Sequence, residues 1–359
     1  MENTYFITGY PGFLSGQLLD EIVATNNVHK LYLLVQPSML QKAKQQFAID
    51  GLFQNQWEFI PGDITEDELG LSQELRHNLQ RSVTHVFHLA AIYDLSVKEK
   101  VAHKVNVVGT RNVNQFVEGI HSLKRYTYFS TAFVSGDREG TIFETELIRD
   151  QQFKNHYERS KYEAEVLALE TKQNVPTTII RPGIVRGHSK TGVTTKFDGV
   201  YFYLNMLERF RQLRFRNVPL LVKGSVNGNF VPVDYVVRAA VFLSHHEKGI
   251  GKTYHLTDPH PYTMEEVYTM LSETYLQKTP KKTLLSHIAG HSLNAVLERY
   301  FRVSSEALAY HEIDATYDSS QTVRDLSGSG IICPDFKETL APMVSYYRDH
   351  RQDQLKYVT

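Results

Sequence analysis

Tyr157 and Lys161 stand four residues apart in "YERSK" (157–161), a spacing that brings both side chains out on one face of a helix. A lysine ammonium beside a phenol favours phenolate and lowers the tyrosine pKa towards the working range. A tyrosine so placed can pass a proton to a carbonyl oxygen while hydride arrives at the carbonyl carbon. The strand-like run "YFST" just upstream delivers two hydroxyls, Ser130 and Thr131, towards the same place. A neighbouring hydroxyl would hold that oxygen, and loss of one such donor typically costs about 3–4 kcal/mol of barrier. The spacing alone also fits an exposed helix pair. Position singles it out, because the pair follows "YFST" and a glycine loop opens the chain.

That loop is "FITGYPGFLSG" (6–16). Gly9 and Gly12 are spaced as in a dinucleotide-binding turn, with Ser15 where a third glycine would stand. They fall between a strand and a helix, where a helix amino terminus points N–H groups at an anion. Gly9 permits the tight turn, and Gly12 lets the backbone approach a pyrophosphate with no Cβ in the way. Serine is small, so Ser15 still allows close helix–strand packing. The competing reading is an ordinary strand-to-helix turn. The second strand ends "LLVQP", with Gln36 where NAD enzymes place a carboxylate on the ribose 2′-hydroxyl. With no acid there to repel a 2′-phosphate, NADP(H) is favoured and NAD(H) is the alternative. Lys42 and Lys44 follow, either as positive charge for that phosphate or as a solvated helix face. His287 and His291 also lie four apart, but no third ligand is evident and no metal is expected.

The elements that must carry these residues alternate. Strand-like "TYFITG" (4–9), "KLYLLV" (30–35), "WEFIPG" (57–62), "THVFHLAA" (84–91), "RYTYFSTAFV" (125–134) and "PTTIIRPGIV" (176–185) are separated by amphipathic stretches. The helices are expected at 13–25, 39–48, 71–80, 105–120 and around 157–170. Such alternation means βαβ units and a doubly wound (Rossmann) parallel α/β sheet, with its ligand crevice at the carboxyl ends of the strands. Residues 1–186 are expected to form this dinucleotide-binding domain. Residues 187–359 are expected to form a smaller, mostly helical substrate lobe interleaved with late strands such as "GNFVPV" and "KTYHLT". At 42% hydrophobic, 22% charged and a formal net charge of −1, the chain of 359 residues reads as an ordinary globular protein with no pull towards nucleic acid. One cysteine, Cys333, cannot form an internal disulfide, which fits a reducing compartment. No signal peptide and no run of about 20 apolar residues are seen, so a cytoplasmic protein without a transmembrane segment is expected.

"TGYPGF", "GDIT" (62–65), "HLAA" (88–91), "NVVGT" (106–110), "STAFV" (130–134), "YERSK" and "RPGIV" (181–185) follow the order of an extended short-chain dehydrogenase/reductase, which this chain resembles over nearly its whole length. "STAFVSG", "FDGVYFYL" (197–204) and "SGIICP" (329–334) look more like the branch of fatty acyl-CoA reductases, male-sterility proteins and thioester reductase domains. The resemblance implies Thr131 rather than Ser130 as catalytic hydroxyl, Tyr157 as acid, and Lys161 also on the nicotinamide ribose. It implies cofactor contacts along the loop from Thr8 and Gly9 through Tyr10, Pro11, Gly12, Phe13 and Leu14, and at Gln36. Asp63 and Ile64 would meet the adenine, and Ala90 and Ala91 the cofactor along the sheet edge. Asn106 would help place the proton relay, and Pro182, Gly183 and Val185 would shape the nicotinamide end. Two departures stand out: Ser15 for the third glycine, and Gln36 where the branch often has an arginine for the 2′-phosphate.

The branch implies NAD(P)H-dependent reduction of an acyl thioester to aldehyde, or in a second round to alcohol. With no adenylation or carrier sequence in the chain, the acyl group would arrive activated, on coenzyme A or an acyl carrier protein. "FDGVYFYLNMLERFRQLRFRNVPLL" (197–221) admits two readings. One is an apolar tunnel wall with a basic mouth at Arg209, Arg211, Arg214 and Arg216, for phosphates or peripheral membrane contact. The favoured one is an amphipathic helix that buries Tyr203, Met206, Phe210 and Leu213. Two other functions use the same signals: an extended short-chain epimerase, dehydratase or ketone reductase, and a non-catalytic NAD(P)-sensing protein. The sequence leaves the oligomeric state open.

Overall fold

In the computed structural model, residues 3–47, 52–148, 150–220, 222, 226–282 and 314–357 are described. His287 and His291 lie outside them. Seven parallel strands form the central sheet: β1 (Asn3–Thr8), β2 (Val28–Val35), β3 (Trp57–Pro61), β4 (His85–His88), β5 (Arg125–Phe129), β7 (Thr177–Pro182) and β10 (Lys252–Leu256). Their order is β10-β7-β5-β4-β1-β2-β3. The chain winds outwards from β1 through β2 and β3, then returns to the other side of β1 as β4. The crossover reverses between β1 and β4, so a crevice opens at their carboxyl ends.

Alternate residues of β1 explain the two layers. Ile7 packs with Leu33 and Phe87, under α1 (Phe13–Thr25) and α8 (Val233–His245). Phe6 faces the opposite way, onto Phe116, Val117, Ala164 and Ile179. These belong to α5 (Gly109–Glu118), α6 (His156–Thr171) and β7. A sheet covered on both faces needs strands apolar on both sides, and β5 and β7 are buried at every residue.

The expected helix over 105–120 starts earlier and is not uniform. α4 (Glu99–Ala102) runs through a π-helical turn (His103–Val108) into α5. Beyond residue 186, α8 packs against α1 and β10 extends the sheet at β7. "GNFVPV" supplies β9 (Phe230–Pro232), which pairs instead with β8 (Ile184–Arg186) in a separate two-stranded ribbon. A second ribbon joins β6 (Gly140–Ile142) and β11 (Ala315–Tyr317). α7 (Tyr201–Gln212), α9 (Met264–Leu276) and α11 (Leu340–His350), the last preceded by α10 (Ser320–Leu326), build another core around Leu207, Leu271 and Met343. Tyr203, Met206 and Phe210 are buried there, so the packing reading of α7 holds. Leu213 is the exception: it lies just past the helix end and is 49% exposed. Among the described residues, no helix is long and apolar enough to cross a membrane.

Candidate active site

A cleft of about 670 Å³ runs along the carboxyl ends of β1, β4 and β5. Its first wall is the loop from Thr8 through Gly9, Tyr10, Pro11, Gly12, Phe13 and Leu14 to Ser15. Gly9 has φ +94°, and a Cβ there would sit 2.7 Å from the Ala90 nitrogen. A Cβ on Gly12 would sit 2.7 Å from the Gly9 oxygen. The two glycines therefore let the turn close against β4, and no acidic residue occupies the first turn of α1 to repel a phosphate. Ser15 does more than stay small. Its hydroxyl donates to the Gly9 and Gly12 carbonyl oxygens (2.9 and 3.0 Å) and accepts from the Gly12 N–H (3.1 Å). The side chain that breaks the glycine pattern thus ties the loop together. This shape, with its glycine cradle and helix amino terminus, fits a dinucleotide pyrophosphate.

Thr8 fixes the neighbouring wall: its hydroxyl accepts from the Ala90 N–H (3.1 Å) and is bonded to His88 Nδ1 (2.8 Å). Ala90 and Ala91 line the cleft, as do Gln36, Ile64, Pro182, Gly183 and Val185. The Tyr10 ring turns away to pack beside Phe47 and Phe59, leaving its backbone to the loop.

Asp63 and Asn106 do not line the cleft. Asp63 accepts from Gln36 Nε2 (2.8 Å) and from the Thr65 N–H (2.8 Å). Burial opposes its charge, but these bonds and nearby Lys104 outweigh it and hold the carboxyl below its usual range. The strand β2 carries no acid, and Gln36 beyond its end is bonded to Asp63 of the loop after β3. Lys42 and Lys44 are exposed on α2 (Leu40–Gln46) and are not part of the cleft wall, nor are Arg209, Arg211, Arg214 or Arg216. Arg211 instead pairs with Glu208 at 2.6 Å. Asn106, in the π turn, accepts from the Ile92 N–H (2.8 Å) and donates to Ser160 Oγ (2.9 Å). It clamps the cleft-lining loop after β4 to α6, one helical turn from the residues that reach the cleft.

Those residues are Tyr157 and Lys161, 7% and 3% exposed, facing Thr131 and Ser130 from the end of β5. The sequence reading of how they interact needs correction. Lys161 Nζ donates to the Phe129 carbonyl (2.7 Å) and the Tyr128 hydroxyl (3.0 Å). Two of its three donors are thus taken up by β5. Burial raises the Tyr157 pKa, a hydrogen bond with Thr131 opposes the rise, and Glu158 adds to it. Tyr157 is thus a neutral acid in this state. Burial also pushes the Lys161 ammonium down to about 7, against the pull of Glu165.

Sequence reasoning missed what stands around the pair. Ser130 donates to Glu165, whose carboxylate also takes Arg181 Nη2 (2.6 Å) and Nε (2.9 Å). Tyr157, Lys161 and Glu165 recur every four residues, a signal that was present in "YERSKYEAE". Tyr93 sets its ring edge-on to Tyr157 at 5.2 Å, and Phe133 donates its N–H to Thr131 Oγ1 (3.3 Å). The far wall, Thr194 to Lys196 and Asp198, comes from beyond residue 186. Neither contact has a local sequence signature.

Residues 7–240 match the profile of the NAD-binding family described as male sterility protein. The chain is 28% identical over 306 residues to the non-canonical nonribosomal peptide synthetase cpsA of Aspergillus campestris, covering 79% of this chain and 28% of that protein. It is 28% identical over 237 residues to fatty acyl-CoA reductase wat of Drosophila melanogaster, covering 55% of this chain and 45% of that protein. The chain therefore spans less than half the length of these curated relatives. Among solved structures it is similar to the terminal R domain from the myxalamid PKS-NRPS biosynthetic pathway, with TM-score 0.80 and 25% identity over 98% of this chain and 91% of that one. A UDP-glucuronic acid 4-epimerase from Bacillus cereus in complex with NAD shares the fold at TM-score 0.67 and 17% identity, over 99% of this chain and 100% of that one. The glycine cradle, the switch-point cleft and the Thr131–Tyr157–Lys161 cluster agree with the profile match: the chain belongs to the male sterility protein family of nicotinamide-dinucleotide-binding proteins, within the extended short-chain dehydrogenase/reductases.

Proposed function

We propose that the chain is an NAD(P)H-dependent oxidoreductase that reduces an acyl thioester, delivered on coenzyme A or an acyl carrier protein, to the aldehyde and free thiol. The observation that carries the reading is Tyr157 hydrogen-bonded with Thr131 on the wall of the same cleft as the glycine loop. A phenol so placed can donate to a carbonyl oxygen as hydride arrives. When bound, the nicotinamide supplies hydride to the carbonyl carbon. Tyr157 and Thr131 would hold the oxygen as it gains charge. Collapse of that oxyanion re-forms the C=O bond and breaks the C–S bond, and the departing thiolate takes up a proton. Lys161, anchored on the Phe129 carbonyl, would use its remaining donor for the nicotinamide ribose. The loop Thr8–Leu14 would hold the pyrophosphate, Ile64 the adenine, and Pro182, Gly183 and Val185 the nicotinamide. Asn106 acts through Ile92 and Ser160 as a positioning residue. The end of β2, with Gln36 and no acid, supports NADP(H), and Asp63 bonded to Gln36 supports NAD(H) as the alternative. The names of the relatives, peptide synthetase and acyl-CoA reductase, support a thioester substrate over a sugar nucleotide. The lone Cys333 and a nicotinamide-dependent reduction fit a cytoplasmic site of action.

The test follows NADPH and NADH absorbance with acyl-CoA and acyl-pantetheine thioesters. Tyr157→Phe should lower kcat by about 10²–10⁴-fold. Thr131→Ala should lower it by about 10²–10³-fold, and both variants should still bind cofactor. Wild-type turnover that survives Tyr157→Phe would remove the reading.

A further inference from the structure

Behind the reacting end of the cleft lies a second, smaller space. It has a volume of about 40 Å³, and Phe133 and Ile184 are common to its wall and that of the cleft. Phe133 binds Thr131 Oγ1 through its backbone N–H, so this space begins two residues from the hydroxyl proposed to hold the carbonyl oxygen. Phe230 and Met264 supply the apolar floor, and Asn227, Asn229, Lys154 and Glu158 the polar side. One atom of each amide is held: Asn227 Nδ2 donates to Thr316 Oγ1 (3.1 Å), and Asn229 Oδ1 accepts from the Asp258 N–H (3.0 Å). The ribbon of β8 and β9 holds Ile184 against Phe230 and fixes the width.

We infer that this chamber receives the acyl tail and limits the substrate to a compact acyl group, of short-chain or aminoacyl size, and excludes a long alkyl chain. The inference rests on the thioester-reductase reading above. One water needs roughly 10–15 Å³ of such space, so the chamber takes about three or four non-hydrogen atoms. Up to that size each methylene moves from water onto Phe230 and Met264, a gain of roughly fourfold in affinity apiece. Beyond it, among the described residues, the chain meets the packed floor and the polar side with Lys154 and Glu158, or turns back into water.

The test measures kcat/KM for the full chain with saturating nicotinamide cofactor across straight-chain acyl-pantetheine thioesters from two to sixteen carbons. The profile should peak at about four to six carbons and fall by about tenfold or more at twelve, as chain beyond the chamber meets, among the described residues, its polar side and packed floor. Met264→Ala, which removes the thioether arm from the floor, should move the peak by about two or three carbons to longer chains. Met264→Leu, of similar volume, should leave it in place and serves as the folding control. A profile rising steadily to sixteen carbons would overturn the inference. So would an unmoved peak in a Met264→Ala protein that melts cooperatively. If no thioester of any length is reduced while cofactor still raises the Tm, the thioester-reductase reading fails, and the chamber assignment with it.

Discussion

At the scale of single residues, the chemistry depends on what burial does to two neighbouring charges. Tyr157 and Lys161 were legible as a pair, because four-residue spacing on a helix is a local property. Their electrostatics were not, because the Phe129 carbonyl that takes the ammonium belongs to another strand. Lys161 is pushed from 10.5 to about 7, so between those pH values the unfolded chain binds more protons than the folded one. Stability from this group therefore rises with pH across the window of about 7 to 10.5 and is lowest below it. Urea unfolding of wild type and Lys161→Met should show the wild type gaining on the variant as pH rises through that range. A constant difference would mean that Lys161 is not held in a desolvated site. Ser15 teaches a similar lesson. Its size could be read from the sequence, but its three hydrogen bonds within the loop required the folded turn.

At the scale of elements, α6 is the part that organises the site. It presents Tyr157, Lys161 and Glu165 on successive turns, to the cleft, to β5 and to Arg181 of β7. The Arg181–Glu165 pair is buried, at 2% and 0% exposure, and it holds Ser130 beside Thr131. Glu165→Gln leaves a buried guanidinium with half its partner, and the fold should lose about 3–5 kcal/mol. Thermal or urea unfolding reads this directly, and a loss under 1 kcal/mol would show that Arg181 re-pairs elsewhere. The π turn around Asn106 was read from the sequence as plain helix. A run such as "VNVVGT" has regular apolar spacing, and nothing in it marks the turn at which the bonding pattern widens.

At the scale of the whole molecule, alternation of strands and helices made the doubly wound sheet legible, together with the crevice at its switch point. The assembly of the cleft's far side was less so. Asp63 reaches Gln36 across β2 and β3, and the wall from Thr194 to Asp198 arrives from beyond residue 186. Such long-range placements follow from topology and leave no motif. The proposed cofactor preference turns on one of them, the Asp63–Gln36 bond. Gln36→Arg would set a guanidinium between Asp63 and the ribose, and it should shift the NADPH/NADH ratio of kcat/KM by about tenfold or more towards NADPH. An unchanged ratio would place the 2′-position away from Gln36.

The central claim is hydride transfer to a thioester carbonyl with Tyr157 as the acid. A single turnover with nicotinamide cofactor deuterated at the transferring position of C4 tests it most directly, using a short-chain acyl-pantetheine thioester. The account predicts aldehyde carrying deuterium at its carbonyl carbon, one equivalent of free thiol, and a rate that collapses in Tyr157→Phe. Cofactor that binds tightly but leaves the thioester intact, or thiol released without deuterium in the product, would contradict it.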